Sequence, residues 1–368
     1  MSHKNKSFSK VFSQIATDGE LSRRQILKGA AAVGAMALAG GLPLVAQAAP
    51  DLSGREMVFS SWGGSYQDAQ EQAYCIPFTE ATGATVIQDG PMNGSKLRAM
   101  VESGEPIWDV VDVTDTFLFA NENLFQDLDF NIVDAKELDQ AYVHKKGIGC
   151  IVWSYNVAFN TDVVGDNTPQ NWADVFDVEK FPGKRALRDR VYPMMEIALM
   201  ADGVEPKDLY PIDVDRAFKK LDTIKDHVIW YTSNSAAQQL FVDGEVGVGV
   251  LLNGRTFDVN RKGAPVNLSW DQNIRSIDYL VIPEGAPNAD VAQYFMNSTA
   301  DADNQALMAN LLAYAPVNPA AFDKIEPDVL PWLATAPENV EKGFLIDADY
   351  WRDNLAAMTE RWTEWKLT

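Results

Sequence analysis

At 368 residues the chain is too long for one ordinary core and suits two. Hydrophobic residues make up 46% and charged residues 23%, a globular composition that excludes a disordered or fibrous chain. The formal net charge of −21 argues against nucleic acid and anionic membrane as partners.

Residues 1–48 read differently from the rest. Ser22-Arg23-Arg24-Gln25-Ile26-Leu27-Lys28 is a twin-arginine signature. An apolar, Ala/Gly-rich run from Gly29 to Val45 follows, then a small-residue cleavage site at Ala46-Gln47-Ala48. The glycines, the short apolar run and the cleavage site argue against a transmembrane anchor. The expectation is a removed signal peptide over 1–48 and a periplasmic mature chain, with a second export route left open. The leader takes six basic and two acidic residues with it, so the mature chain is more acidic still.

Beyond the leader, Met57–Ser60 reads as a strand and Tyr66–Thr82 as a helix closed by Gly83. Ala84–Gln88 reads as a second strand and Ser95–Ser103 as a helix. Asp109–Val113 reads as a third strand and Thr116–Asn123 as a helix. This β-α-β-α-β order predicts a parallel sheet covered by helices. Such sheets bind ligands beyond the carboxyl ends of their strands. Those ends are Ser61–Ser65, Pro91–Ser95 and Thr114–Asp115. The apolar run Gly149–Asn160 reads as a strand leaving this unit. A second α/β unit is expected over Asn160–Ile277, with a helix capped by Asn171, a strand at Arg185–Leu187 and a helix over Tyr192–Met200. From His227 the pattern runs strand, loop, helix, turn, strand, loop. Asp278–Pro283 reads as a strand, Ala289–Ala313 as mostly helical, and Glu338–Lys366 as a helical tail anchored by Trp351, Trp362 and Trp365. No floppy linker separates the two units, which predicts lobes joined by crossing strands around a cleft that closes by hinge motion.

Catalytic material is sparse. The mature chain holds His144 and His227 as its histidines and carries no metalloprotease, nucleophile-elbow or dinucleotide motif. No enzyme activity, cofactor or metal is expected; the acids of Asp109, Asp112 and Asp115 are wrongly spaced for a calcium loop. Cys75 and Cys150 read as a structural disulfide in an oxidising compartment, with two separately buried thiols as the alternative. Binding-type residues cluster at the strand-end loops instead. Trp62 and Tyr66 flank Gly63-Gly64, where a ligand can approach the backbone. The helix starting near Ser65 offers N–H groups to an anion. Asn93, Ser95 and Asp115 sit at equivalent tips, where turn and capping roles compete.

Further along, Asn253-Gly254, Gly263-Ala264-Pro265, Asp278–Pro283 and Tyr314–Asn318 occur in the order found in spermidine/putrescine-type solute-binding proteins of bacterial ABC importers, and Pro77–Val86 resembles that family's first helix and second strand. The resemblance runs from Met57 to the C-terminal helix. It implies a two-lobed periplasmic-binding-protein fold of type II, each lobe a mixed, mostly parallel sheet flanked by helices. Its boundaries would be 49–158 for the first part of lobe 1, 159–277 for lobe 2, 278–325 for the return to lobe 1, and 326–368 for C-terminal helices packing on lobe 2. It also implies a monomer that delivers a small ligand to the transmembrane subunits of a permease, and no catalysis.

In polyamine binders an acid of the Asp-x-Leu strand grips an ammonium; by position that is Asp278. Trp62 and Tyr66 match the aromatics that cover the alkyl chain. Two departures stand out. The tryptophan expected before Asn-Gly is Leu252 here. Where polyamine binders place further acids, this chain reads Arg188-Asp189-Arg190, and Arg255 follows the Asn-Gly turn. One acid opposite arginines suits a ligand with an ammonium and a carboxylate, because a guanidinium matches a carboxylate bidentately. The expected ligand is a γ-aminobutyrate-like amino acid or a larger amine–acid conjugate. The competing readings are a polyamine, should the arginines face solvent or a solvated Asp189, and, from other classes, an exported enzyme or an adhesion module. Trp270 is a further candidate for the cleft; Trp153, Tyr155, Tyr231 and Tyr279 are secondary ones.

Overall fold

The computed structural model describes residues 49–368. The signal-peptide reading of 1–48 lies outside the described residues.

One ten-stranded sheet organises this part. Its strands are β1 (Glu56–Ser60), β2 (Thr85–Asp89), β3 (Val110–Thr114), β4 (Val143–His144), β5 (Gly147–Asn160), β6 (Arg185–Arg188), β7 (Val228–Tyr231), β8 (Val248–Leu252), β9 (Val266–Val281) and β10 (Phe344–Leu345). The order is β2-β1-β3-β9-β5-β8-β6-β7, with β10 on β9 and β4 on β5. β1 runs parallel to β2 and β3; β6 runs parallel to β7 and β8. Each parallel half follows from strand-helix-strand patterning, since helices cover both faces and every residue of β3, β6 and β8 is buried.

β5 and β9 join the halves as long antiparallel partners. β5 pairs with β9 over Gly147–Tyr155 against Ile274–Val281, then again over Val157–Asn160 against Val266–Ser269. The register breaks between Tyr155 and Val157, where β9 carries Gln272 at φ 58. The sheet passes from one half to the other at this irregularity.

The first helix is longer in purpose than in regular hydrogen bonding. Gly64–Gln70 is α-helical, Glu71–Cys75 is a π-helical turn, and Ile76–Thr82 is α-helical again, ending on left-handed Gly83. The expected loop at Asn253 is a helix, Asn253–Arg261. Asn-Gly signals a turn in isolation, yet here Gly254 packs so closely that a Cβ would come within 2.5 Å of the Leu312 carbonyl and the Tyr314 ring. Glycine lets that helix lie against the segment carrying Tyr314. β9 is also longer than the expected Asp278–Pro283, because its polar first half pairs with β5 rather than packing in the core.

The tail helix, Ala348–Lys366, is fastened by three indoles. Trp351 Nε1 donates to Glu196 Oε1 at 2.7 Å, Trp362 Nε1 to Asp189 Oδ1 at 3.0 Å, and Trp365 Nε1 to Asp222 Oδ1 at 2.8 Å. The expected disulfide is absent: Cys75 and Cys150 are free and buried. Cys150 spends its S–H on the Asp278 carbonyl at 3.3 Å, and burial pushes both thiols well above their ordinary pKa, Cys75 to about 12. Thiols held protonated in this way are poor nucleophiles toward oxidants. Among the described residues no helix is long and apolar enough to cross a membrane, and no group of acids, histidines and cysteines is arranged to hold a metal.

Candidate ligand-binding site

A pocket sits where the ends of β1 and β3 meet β6, the crossing strands and the helix after β8. Of the residues singled out from sequence, Trp62, Tyr66, Arg188, Arg190, Arg255 and Asp278 all line it, as do the secondary candidates Trp153 and Tyr155. It opens into a wider chamber of about 860 Å³ that shares Trp62, Thr114 and Arg190 with it. The two halves of the sheet touch across this chamber: Thr114 Oγ1 lies 3.2 Å from Tyr192 Oη.

One end of the pocket is acidic. Asp278 and Asp112 come from adjacent antiparallel strands, Asp112 opposite Leu280 and Asp278 opposite Thr114, so the two carboxyls stand on one face of the sheet as diagonal neighbours. Asp112 accepts from Trp62 Nε1 (3.0 Å), Tyr66 Oη (2.8 Å) and Gln70 Nε2 (2.7 Å); Asp278 accepts from Trp153 Nε1 (2.8 Å). Burial raises both carboxyls, Asp112 to about 6 and Asp278 further, since Asp278 has fewer donors and faces the charge of Asp112. The same bonds fix the Trp62 and Tyr66 rings as walls, with Tyr314 edge-on to Tyr66 at 5.4 Å.

The other end is basic. Arg188 donates to Asn234 Oδ1 at 2.8 Å and lies over the Tyr231 ring; Arg190 donates to Tyr192 Oη at 3.0 Å and lies over that ring. Burial and the charge of Arg190 hold the Arg188 guanidinium below its usual pKa. Arg255 donates to Ser65 Oγ (3.0 Å) and Gly63 O (3.1 Å), and its buried Nε has no partner. Among the described residues the arginines that pair with carboxylates are Arg55, Arg98, Arg216, Arg352 and Arg361, all elsewhere. Three arginines thus face one pocket without a protein carboxylate.

Several expectations change. The Trp62-Gly63-Gly64-Ser65 loop meets a cation with a carbonyl and a hydroxyl rather than an anion with N–H groups, so Ser65 supports Arg255 from behind the lining. Asp115 points away from the pocket: it accepts from Ser276 Oγ at 2.9 Å and the Ile277 N–H at 3.3 Å, and burial pushes it up to about 7. Trp270 does not line the pocket; it sits partly buried within β9 itself. Tyr231 lies beneath Arg188, and Tyr279 packs on Phe119. Asp189, read as a partner for its neighbouring arginines, accepts from Trp362 instead. Thr114, named as a strand end, does line the pocket; sequence reasoning missed Asn234, Tyr314 and Asp112 as site residues. Tyr314 opens the Tyr-Pro-Asn turn and was legible there; Asp112 lies mid-strand and gave no signal.

Residues 73–339 match the family described as bacterial extracellular solute-binding protein, and residues 20–40 match the twin-arginine translocation signal sequence. The γ-aminobutyric acid-binding protein of Pseudomonas aeruginosa is 32% identical over 328 residues, 86% of this chain and 93% of that protein. A solved γ-aminobutyrate receptor is 40% identical with a TM-score of 0.77, covering 85% of this chain and 98% of the other. The spermidine/putrescine-binding periplasmic protein 1 of Haemophilus influenzae is 29% identical, covering 60% of this chain and 64% of that protein.

Proposed function

The chain belongs to the bacterial extracellular solute-binding protein family, and from that premise we propose that it captures a small zwitterion, a γ-aminobutyrate-like amino acid, for an ABC importer. It carries a twin-arginine signal sequence and works in the periplasm. The reading rests on one observation: a buried carboxyl pair at one end of the pocket and arginines without carboxylate partners at the other. Asp278 receives the ammonium. Arg188 and Arg190 receive the carboxylate, with Arg255 beside them. Trp62 and Tyr66 cover the methylenes, where cation–π contact adds about 0.5–2 kcal/mol. The γ-aminobutyrate relatives support this choice. The halves, joined through β5 and β9, hinge near Gln272 and close over the ligand. The closed monomer then docks on the permease, and no reaction is catalysed.

A polyamine is the second reading, favoured by the polyamine-binding relative and the Asp278 position. A diamine would place its second ammonium among the arginines, an uncompensated repulsion in a buried site. Calorimetric titration of refolded, ligand-stripped mature protein decides between them. Micromolar or tighter γ-aminobutyrate binding, about −8 kcal/mol, with no putrescine binding is the expected result. The reverse order of affinities would overturn the zwitterion reading.

A further inference from the structure

Asp112 is absent from the pocket lining, yet it is the half of the carboxyl pair with more hydrogen-bond donors. Three donors converge on its two oxygens and one on those of Asp278. Two buried carboxyls side by side on one face of the sheet repel when both are charged, and one proton on the pair relieves that repulsion. The groups around them supply no cation in its place. From the first helix and its π turn, Tyr66, Gln70 and Tyr74 face the pair, all neutral. From β5 come Cys150, a protonated thiol, and the Trp153 indole; from the segment after the helix Ala302–Leu312 comes the Tyr314 hydroxyl. Asp115, at the start of the helix that follows β3, adds negative potential. Arg190, a cation of the same pocket, lies near enough to Asp278 to feel its charge, but it hydrogen-bonds to Tyr192, as Arg188 does to Asn234 and Arg255 to Ser65.

We propose that the Asp112–Asp278 pair holds one proton in the empty pocket and releases it when the ligand ammonium arrives, making binding a cation-for-proton exchange. Asp112 is the positioning residue: burial, and then the fixed charge of Asp112, keep Asp278 protonated until an N–H⁺ takes the proton's place. The O–H bond of the pair breaks, the proton passes to bulk water, and the ammonium donates to the vacated oxygen. The pocket's net charge is unchanged by the amine. This deepens the reading of Asp278 as the ammonium acceptor and rests on it. It also gives selectivity, since an analogue ending in an amide or hydroxyl cannot expel the proton and leaves the pair as it was.

While the pair is protonated in the empty protein, protons compete with ligand, so affinity rises as pH rises, by about tenfold per pH unit. The test is titration of γ-aminobutyrate into mature protein at neutral pH in phosphate and in Tris, whose ionisation enthalpies differ. The expected slope of observed enthalpy against buffer enthalpy corresponds to release of about one proton, with a protonated-carboxyl infrared band lost on binding. In Asp112→Asn the released proton count falls below the wild-type value whatever affinity remains, because burial alone is left to hold the proton on Asp278. Wild-type binding with no proton release and no loss of the band overturns the exchange and leaves the ammonium reading standing. Failure of γ-aminobutyrate to bind, or undiminished binding by Asp278→Asn, overturns that reading and the exchange with it.

Discussion

Arg188 and Arg190 stand two residues apart, repel one another, and have only an amide and a phenol for company. Such a pair is stable in a buried setting only if an anion completes it. Arg188→Ala is therefore expected to weaken γ-aminobutyrate binding by about 10–100-fold, the 1.5–3 kcal/mol of a charged hydrogen bond, and to leave putrescine binding no weaker. Titration of both ligands checks this; equal loss for both would mean the arginine only supports the fold. A second residue-scale prediction concerns Glu196, which does not line the pocket. Its Oε1 accepts from Trp351 and from Tyr210 at 2.8 Å, its Oε2 has no partner, and burial pushes it up to about 7. A buried acid with a raised pKa binds its proton more tightly folded than unfolded. Its contribution to stability is then present below the ordinary glutamate range and lost as pH rises toward 7. Glu196→Gln is expected to lose part of this decline and to be more stable than wild type at pH 8 by on the order of 1–3 kcal/mol. Urea midpoints at pH 5 and pH 8 measure it; a variant less stable at both would show the carboxylate is well accommodated.

Elements decide what reaches the pocket. The helix Asn253–Arg261 carries Arg255 to the Gly63–Ser65 loop and seats Tyr314 against Gly254. Gly254→Ala would drive a methyl into the Leu312 carbonyl and the Tyr314 ring. A destabilisation of about 1–3 kcal/mol from overpacking, together with weaker ligand binding, is expected from thermal melts and calorimetry. Unchanged stability would mean the helix can slide without cost. Legibility from sequence also varied by element. β1–β3 fell within a residue or two of expectation because alternating strand and helix periods are local signals. The Asn253 helix and the first half of β9 did not, because their conformations are imposed by distant partners: Leu312 and Tyr314 for one, β5 for the other. The same logic separates the site residues. Trp62, Tyr66 and the arginines sit at strand ends, where position alone speaks for a pocket; Asp112 looks like one more residue of a buried strand, and its partners Trp62, Tyr66 and Gln70 lie some 40–50 residues away.

At the scale of the whole molecule, two parallel half-sheets share two long strands, and the break near Gln272 lies between them. If that break is the hinge, ligand should make the molecule more compact: small-angle scattering is expected to give a smaller radius of gyration with γ-aminobutyrate than without. Identical curves at saturating ligand would count against closure. The interleaving itself was legible as an expectation of crossing strands, because the apolar run Gly149–Asn160 is too long for one half. The position of the crossing in the return strand was not, since the polar residues around Trp270–Asn273 hide it.

Sharing β9 also orders events during synthesis. β3 ends at Thr114, but its neighbour in the sheet, the stretch Asp278–Val281, is made only after the whole second half. At 5–20 residues per second that interval is roughly 10–30 s. For that time the growing chain carries a mostly apolar strand with one side unpaired, the kind of edge that recruits other strands. The half whose loops begin the pocket is therefore the last to be sealed, and a ribosome that stalls before residue 281 leaves behind a sticky fragment rather than a folded lobe.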